Sequence, residues 1–497
     1  MKLYLSVAVL CFSFLYLSGC SETDGPPPIE IDEENNGFES FEVAEILVKK
    51  CALPECHQGE TAENGLSFES YSKMIKGSLG RHFGGHDHNH SPKILHGTVY
   101  GGSPVVPFDS KNSLMYNLIT GNISDPDLRM PYQKTPLSSS EIETLRKWID
   151  NGARDFNGNV PYSGSQKVYV CNQWSDEIYV IDTEYMVVSR IINVDVNPAT
   201  PDQPHNIQLK DGYYYVTLIS AGQLLKIDAA TNTIVGRTEG LEAPGMIMIS
   251  PDGKTAYVSK SSTAPGIYSI IYVIDTETMQ RKQEEINLPV AGLPHAIWLT
   301  KDGKKLYVAN MSRDRISIVD TDLNEVVDEI VLSDANPVNY EPMHMYLSPD
   351  DKYLYVNNRT SSTMLVIDTE TNQVVKELNI KKHPMQAAVT NDGNKIYVVS
   401  HHEPYITEIT KNGTDWTITK EYSNMDAFHH LYGADLSPDG RYLFVSCSNS
   451  DDSYTPPYDI PGKERPSVLC IYDIQSGELV KAIDIGSYST GVTARQN

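Results

Sequence analysis

The pair LYVAN (306–310) and SIVDT (317–321) decides the fold, because the chain repeats both halves. The first half returns as KVYVC (167–171), YYYVT (213–217), TAYVS (255–259), YLYVN (353–357), KIYVV (395–399) and YLFVS (442–446). The second returns as YVIDT at Tyr179 and at Tyr272, and as LVIDT at Leu365. Short runs of β-branched and aromatic residues bounded by turn residues read as strands. Before each Tyr-Val strand except the first, a further apolar strand runs into an Asp-Gly or Asp-Asp turn, as in MIMISPDG (246–253) and HMYLSPDD (344–351). The period is close to the about 40–45 residues of a propeller blade. The expectation for residues 165–497 is therefore an all-β, seven-bladed β-propeller.

The first blade lacks its inner strand, since Lys167 already opens the Tyr-Val strand. The segment Tyr488–Thr493 follows the last outer strand and is predicted to supply the missing one. That closure joins the two ends of the ring and removes an open sheet edge. These repeats resemble the YVTN-type propeller family, which implies the fold and says little about chemistry.

Histidine recurs near the starts of the inner strands, at His205, His295, His344, His383 and His429 or His430, with Met246, Met343 and Met385 nearby. Imidazole and thioether suit copper, and imidazole suits zinc. Counted back from the turn aspartates, the histidines fall out of register. His295 lies seven residues before Asp302 and His344 six before Asp350, while His383 and His430 each lie nine before theirs. Strand alternation then leaves His295, His383 and His430 as the set with shared parity, a candidate metal group. The other reading is polar residues lining a wet channel.

Upstream, an amphipathic helical pattern with Phe38, Phe41, Ile46 and Leu47 runs into CALPECHQG (51–59). Two thiols followed at once by an imidazole is the arrangement that covalent haem needs. Four residues separate Cys51 from Cys56 where two are usual, so the loop must bulge and the Cys51 bond is the less secure one. A disulfide or half of a zinc site would use the same residues. Further on, RMPYQKTPLSSSEIETLRKWIDNGA (129–153) contains a capping box, Ser138 with Glu141. Ile142, Leu145, Trp148 and Ile149 form one apolar helix face there, and Gly152 stands at its end. The order of these motifs resembles the cytochrome c domains of planctomycete-type multidomain bacterial proteins. The resemblance implies a small all-α haem domain over 38–158, with haem c on Cys51 and Cys56. His57 and Met130, of the Arg-Met-Pro motif, would be its axial ligands. Met130 as plain core filler is the alternative. Within the domain, RHFGGHDHNHSPKILHG (81–97) alternates His86, His88 and His90, which share one face of an extended strand. They are a second candidate copper or zinc group, or a solvated insert.

The chain opens with Lys2, an apolar run from Leu3 to Leu17, and Leu17-Ser18-Gly19-Cys20. This resembles a lipoprotein signal over 1–19, with Cys20 lipidated and residues 20–37 a flexible Pro- and acid-rich tether. Of seven cysteines, Cys171, Cys447 and Cys470 remain, and no disulfide framework is expected from them. A net charge of −25 argues against a nucleic-acid partner, because phosphate binding needs clustered Lys and Arg. No nucleotide-binding glycine loop, hydrolase triad motif or zinc-protease motif occurs. The expected function is electron transfer in the cell envelope, periplasmic or at the cell surface. The propeller would dock or sense a redox partner, either a protein or a small-molecule donor. The runner-up is an oxidoreductase whose channel holds the active site and whose haem is the electron outlet.

Overall fold

The computed structural model describes residues 29–54, 56–59, 62, 65–77, 103–262, 269–282, 285–335, 337–422, 430–452, 454–456, 461–462 and 464–495. Cys20 and the histidine-rich stretch with His86, His88 and His90 lie outside them. Among the described residues no helix is long and apolar enough to cross a membrane.

A small helical region comes first, with α1 (Phe41–Lys50), α2 (Tyr71–Met74), α3 (Leu114–Thr120) and α4 (Ser139–Asp150). Ser40 starts α1 by accepting a hydrogen bond from Val43 N–H, and Ser138 with Glu141 forms the capping box that starts α4. Leu145, Trp148 and Ile149 bury one face of α4 against Phe38, Leu47 and Met74. Phe38 meets Tyr71 and Trp148 edge-on, with ring centroids 5.8 and 6.2 Å apart. The polar tips of this core are also paired: Trp148 Nε1–H donates to the Arg154 carbonyl at 3.0 Å and Tyr71 O–H to that of Ala153 at 2.9 Å. Phe41 does not share the buried face of α1. It is 50% exposed, and Val43, Ala44, Ile46, Leu47 and Val48 are buried instead.

Seven sheets follow, and all pairings within them are antiparallel. One contains β1 (Lys167–Asn172), β2 (Glu177–Asp182), β3 (Val187–Asn193) and β29 (Ser489–Thr493), in the order β29-β1-β2-β3. The C-terminal strand thus supplies the missing inner strand, with Tyr169 opposite Thr493 and Val170 opposite Val492. The motif residues have structural work. Tyr307, Tyr355 and Tyr397 are each buried against the following blade. The Asp of Ile-Asp-Thr caps the next turn, as Asp368 does by accepting from Glu370 N–H and Thr371 N–H.

The other inner strands are β4 (Pro204–Lys210), β8 (Pro244–Ile249), β13 (Pro294–Leu299), β17 (Pro342–Leu347), β21 (Pro384–Val389) and β25 (Leu431–Leu436). Five open on proline, which has no N–H to lose at a strand's first position. All six carry a register shift just inside this end. The extra residue is a β-bulge, which re-aims side chains at a rim.

The helical region leans on the first blade. Arg190 of β3 stacks over the Phe108 ring at 4.7 Å, and Tyr162 meets Tyr185 edge-on at 5.5 Å. Tyr162 also donates to the Ile75 carbonyl at 3.0 Å.

Candidate functional site

In the helical region, α1 ends at Lys50 and the chain turns twice. Leu53 N–H donates to the Cys51 carbonyl at 2.8 Å, and Cys56 N–H to that of Leu53 at 3.0 Å. These turns absorb the two extra residues around Pro54. Both thiols are free and half-buried. Desolvation, then the nearby Cys56, pushes the Cys51 thiol up to about 12, so it stays protonated. The His57 ring is fixed from two sides. Its Nδ1 lies 3.1 Å from the Leu66 carbonyl, which places the proton on Nδ1 and the lone pair on Nε2. The Phe68 ring packs edge-on to it at 5.3 Å. Phe68 belongs to the apolar core, against which Cys51 and Met130 also pack. The Arg129 Nε beside Met130 is buried with no acceptor among the described residues.

The propeller gathers imidazoles from separate blades at one mouth. His205 and His295 are 5.9 Å apart between ring centroids, and His295 and His344 are 5.3 Å apart. His383 stacks on His402 at 3.8 Å, and His401 lies 4.6 Å from His430. Tyr432 links the two groups, with its ring 6.4 Å from His205, 6.3 Å from His344 and 6.3 Å from His401. Shared strand parity does not bring His295 together with His383 and His430: His295 lies beside His205 and His344, His383 beside His402, and His430 beside His401. His205 and His295 each follow the opening proline, His344 comes one place later, and the bulge there lets both positions face the same mouth.

His401 and His402 were not anticipated, because they follow β22 (Lys395–Ser400) and do not begin an inner strand. The signal was present. Adjacent strands run antiparallel, so the residue after a Tyr-Val strand lies beside the start of an inner one, as His401 N–H donating to the His383 carbonyl at 2.8 Å shows. Gln173, after β1, repeats the arrangement by donating its N–H to the Tyr488 carbonyl at 2.9 Å, and its side chain reaches across to His205 Nδ1 of the next blade at 2.7 Å.

Burial keeps the rings of His205, His295, His344 and His401 neutral. Desolvation and the neighbouring His295 push His205 down to about 3, and desolvation pushes His295 down to about 4. Desolvation with His430 and His402 pushes His401 down to about 3, and His344 lies well below its ordinary value for the same kind of reason. His295 Nδ1–H donates to the Met343 carbonyl at 2.9 Å, which leaves Nε2 as its acceptor atom. His344 Nε2 is buried with no hydrogen-bond partner among the described residues. Met343 and Met385 are buried in one apolar cluster with Tyr432. Behind this plug runs a central channel of about 700 Å³, lined by His344, Met246, Gln208 and Gln386 among others, and reaching Lys210 and Arg495. Among the described residues, no three imidazoles bring their nitrogens within 4.8 Å of one another; the three-ligand group that meets this limit is Asp176, Asp195 and Asp202.

A ring of seven antiparallel sheets, shut by a strand from the far end of the chain, makes the second region a seven-bladed β-propeller. Within it, residues 178–395 match the family described as YNCE-like beta-propeller. Two curated relatives are named "Uncharacterized protein YncE", from Salmonella typhi and from Salmonella typhimurium (strain LT2). Each is 28% identical over 123 residues, or 24% of this chain. The chain spans 33% of the length of these relatives. The crystal structure of a functionally unknown protein from Desulfotomaculum acetoxidans DSM 771 aligns with a TM-score of 0.54. It covers 67% of this chain and 99% of its own at 15% identity, a likeness of fold alone.

Proposed function

We propose that this chain is an envelope-anchored electron-transfer lipoprotein, with one covalent haem c in residues 38–158 and the propeller as a docking or sensing platform. The observation that carries the reading is the setting of His57. The Leu66 carbonyl holds its Nδ1–H at 3.1 Å, and the ring abuts the core that Cys51 and Met130 also touch. A hydrogen bond to the far nitrogen fixes a ligand's tautomer and raises its basicity. Cys51 and Cys56 would hold the porphyrin, and His57 Nε2 and Met130 Sδ would be the axial ligands. The buried Arg129 Nε, without an acceptor among the described residues, suits an anionic propionate. When bound, haem with His/Met ligation supplies a one-electron carrier of raised potential.

Expression in a host that matures c-type cytochromes tests the reading. The expected result is haem-bearing peptides that contain Cys56, and in Met130→Ala the loss of the sulfur-to-iron band with a lowered potential. Haem that extracts completely into acidified organic solvent would overturn it.

A second reading, an oxidoreductase with a copper or zinc site at the propeller mouth, draws on one specific observation. His344 Nε2 is buried with no hydrogen-bond partner among the described residues, at the head of the channel beside neutral His295. Metal analysis of the full chain against His344→Ala decides it: metal retained equally by both proteins leaves the mouth as a polar plug.

A further inference from the structure

We propose that Asp176, Asp195 and Asp202 bind one calcium ion. Asp176 lies in the turn between β1 and β2, and the other two lie in the loop between β3 and β4. One carboxylate oxygen from each comes within 4.8 Å of the others. Asp202 is fully buried. Its Oδ2 accepts from Val196 N–H and, at 3.2 Å, from Asn197 N–H, while its Oδ1 is buried with no donor among the described residues. The neighbouring charges that act on Asp176 are those of Asp202 and Asp195, both negative. A buried carboxylate oxygen without a donor, held against two like charges, is a costly arrangement unless a cation joins it.

The molecule contains its own comparison. Asp314 occupies the matching turn between β14 (Lys305–Asn310) and β15 (Arg315–Asp320). It braces the following loop with both oxygens, which accept from Glu341 N–H at 2.8 Å, Asn339 N–H at 2.6 Å and Tyr340 N–H at 3.1 Å. Asp176 does the same bracing through Oδ1, which accepts from Asp202 N–H at 2.9 Å and Gln203 N–H at 2.8 Å. One aspartate suffices for that role, and no acidic trio forms around Asp314 among the described residues. The two further carboxylates at Asp176 call for another partner. An all-oxygen donor set with irregular spacing selects a hard cation with flexible coordination, which is calcium more than magnesium. Asp195 is exposed and gives the ion a way in. The ion would tie the first blade's turn to the loop that leads into His205.

The test uses the full-length protein stripped with chelator, with calcium chloride alone as the probe and magnesium chloride as the comparison. Calorimetry should show one calcium per chain, and Tm should rise by about 4 °C at a hundredfold excess over Kd. Asp202→Asn should lose the binding, and its metal-free form should be at least as stable as the metal-free parent, because one charge of the trio is gone. Asp195→Asn changes an exposed residue and should weaken binding by about tenfold even if the Asp202 variant fails to fold. No heat and no Tm shift up to about 5 mM calcium, beyond the weak extracellular range, would overturn the proposal. So would unchanged binding in Asp195→Asn.

Discussion

The helical region and the propeller assemble their candidate chemistry from opposite directions along the chain. In the first, Cys51, Cys56 and His57 stand within one short loop, and the carbonyl that orients His57 is nine residues away. In the second, the imidazoles run from His205 to His430, and neighbours such as His295 and His344 come from different blades. A local site needs one loop and one packed core. The propeller mouth needs the whole ring, so its geometry is a property of closure.

The largest expected effect breaks that closure. A chain ending at Ser487 lacks β29, and β1 keeps an unpaired edge. The propeller's cooperative thermal transition should disappear while the helical signal persists; a truncated protein that melts like the parent would show that the ring does not depend on this strand.

Acid should separate the two regions next. His205, His295 and His401 are held to about 3, 4 and 3 in the folded state, below their ordinary value near 6.5. The unfolded chain therefore binds more protons between those values. Stability is unaffected above about pH 6.5 and falls as pH drops through the window, by about 1.4 kcal/mol per histidine and pH unit at most. Denaturant midpoints of the propeller transition, measured from pH 7 to 4.5, should decline along this course. A flat profile would mean that the rings are solvated.

Trp148→Ala should cost about 3–5 kcal/mol, because it empties a site that is 2% exposed and strands the Arg154 carbonyl. The loss should appear in the helical transition and leave the propeller's alone. A smaller effect in the opposite region is expected from Gly433→Ala. A Cβ there would lie 2.2 Å from the Thr490 carbonyl oxygen of the closing strand, a backbone atom that cannot swing aside. A cost of about 1–3 kcal/mol, confined to the propeller transition in calorimetry, is the expected outcome.

What could be read from the sequence follows the same division. The Tyr-Val and Ile-Asp-Thr strands, the Ser138–Glu141 capping box and the closing role of Ser489–Thr493 are short-range patterns or simple counts of strands, and the structure has them. The mouth was only half legible. Its histidines could be seen to recur, but the bulge that sets their direction leaves no mark in a period-two count, so His344 looked out of step with His295. His401 and His402 join through antiparallel neighbours and not through any motif of their own, while Tyr432 stands second in β25, the place that His205 and His295 hold in β4 and β13. Phe41 misled for a different reason: α1 begins at that residue, and its first position points away from the core that Phe38 enters from the preceding strand-like turn.

The closing strand also sets a clock. About 300 residues separate Asn172 from Ser489, so at about 5–20 residues per second the first blade waits on the order of 15–60 s for its partner to be synthesised. Throughout that interval the helical region is already complete in sequence, whereas β1 offers an open edge to any chain nearby. The order of birth along the polypeptide thus gives the two regions unequal exposure to misassembly, and the ring becomes safe only with the arrival of its final strand.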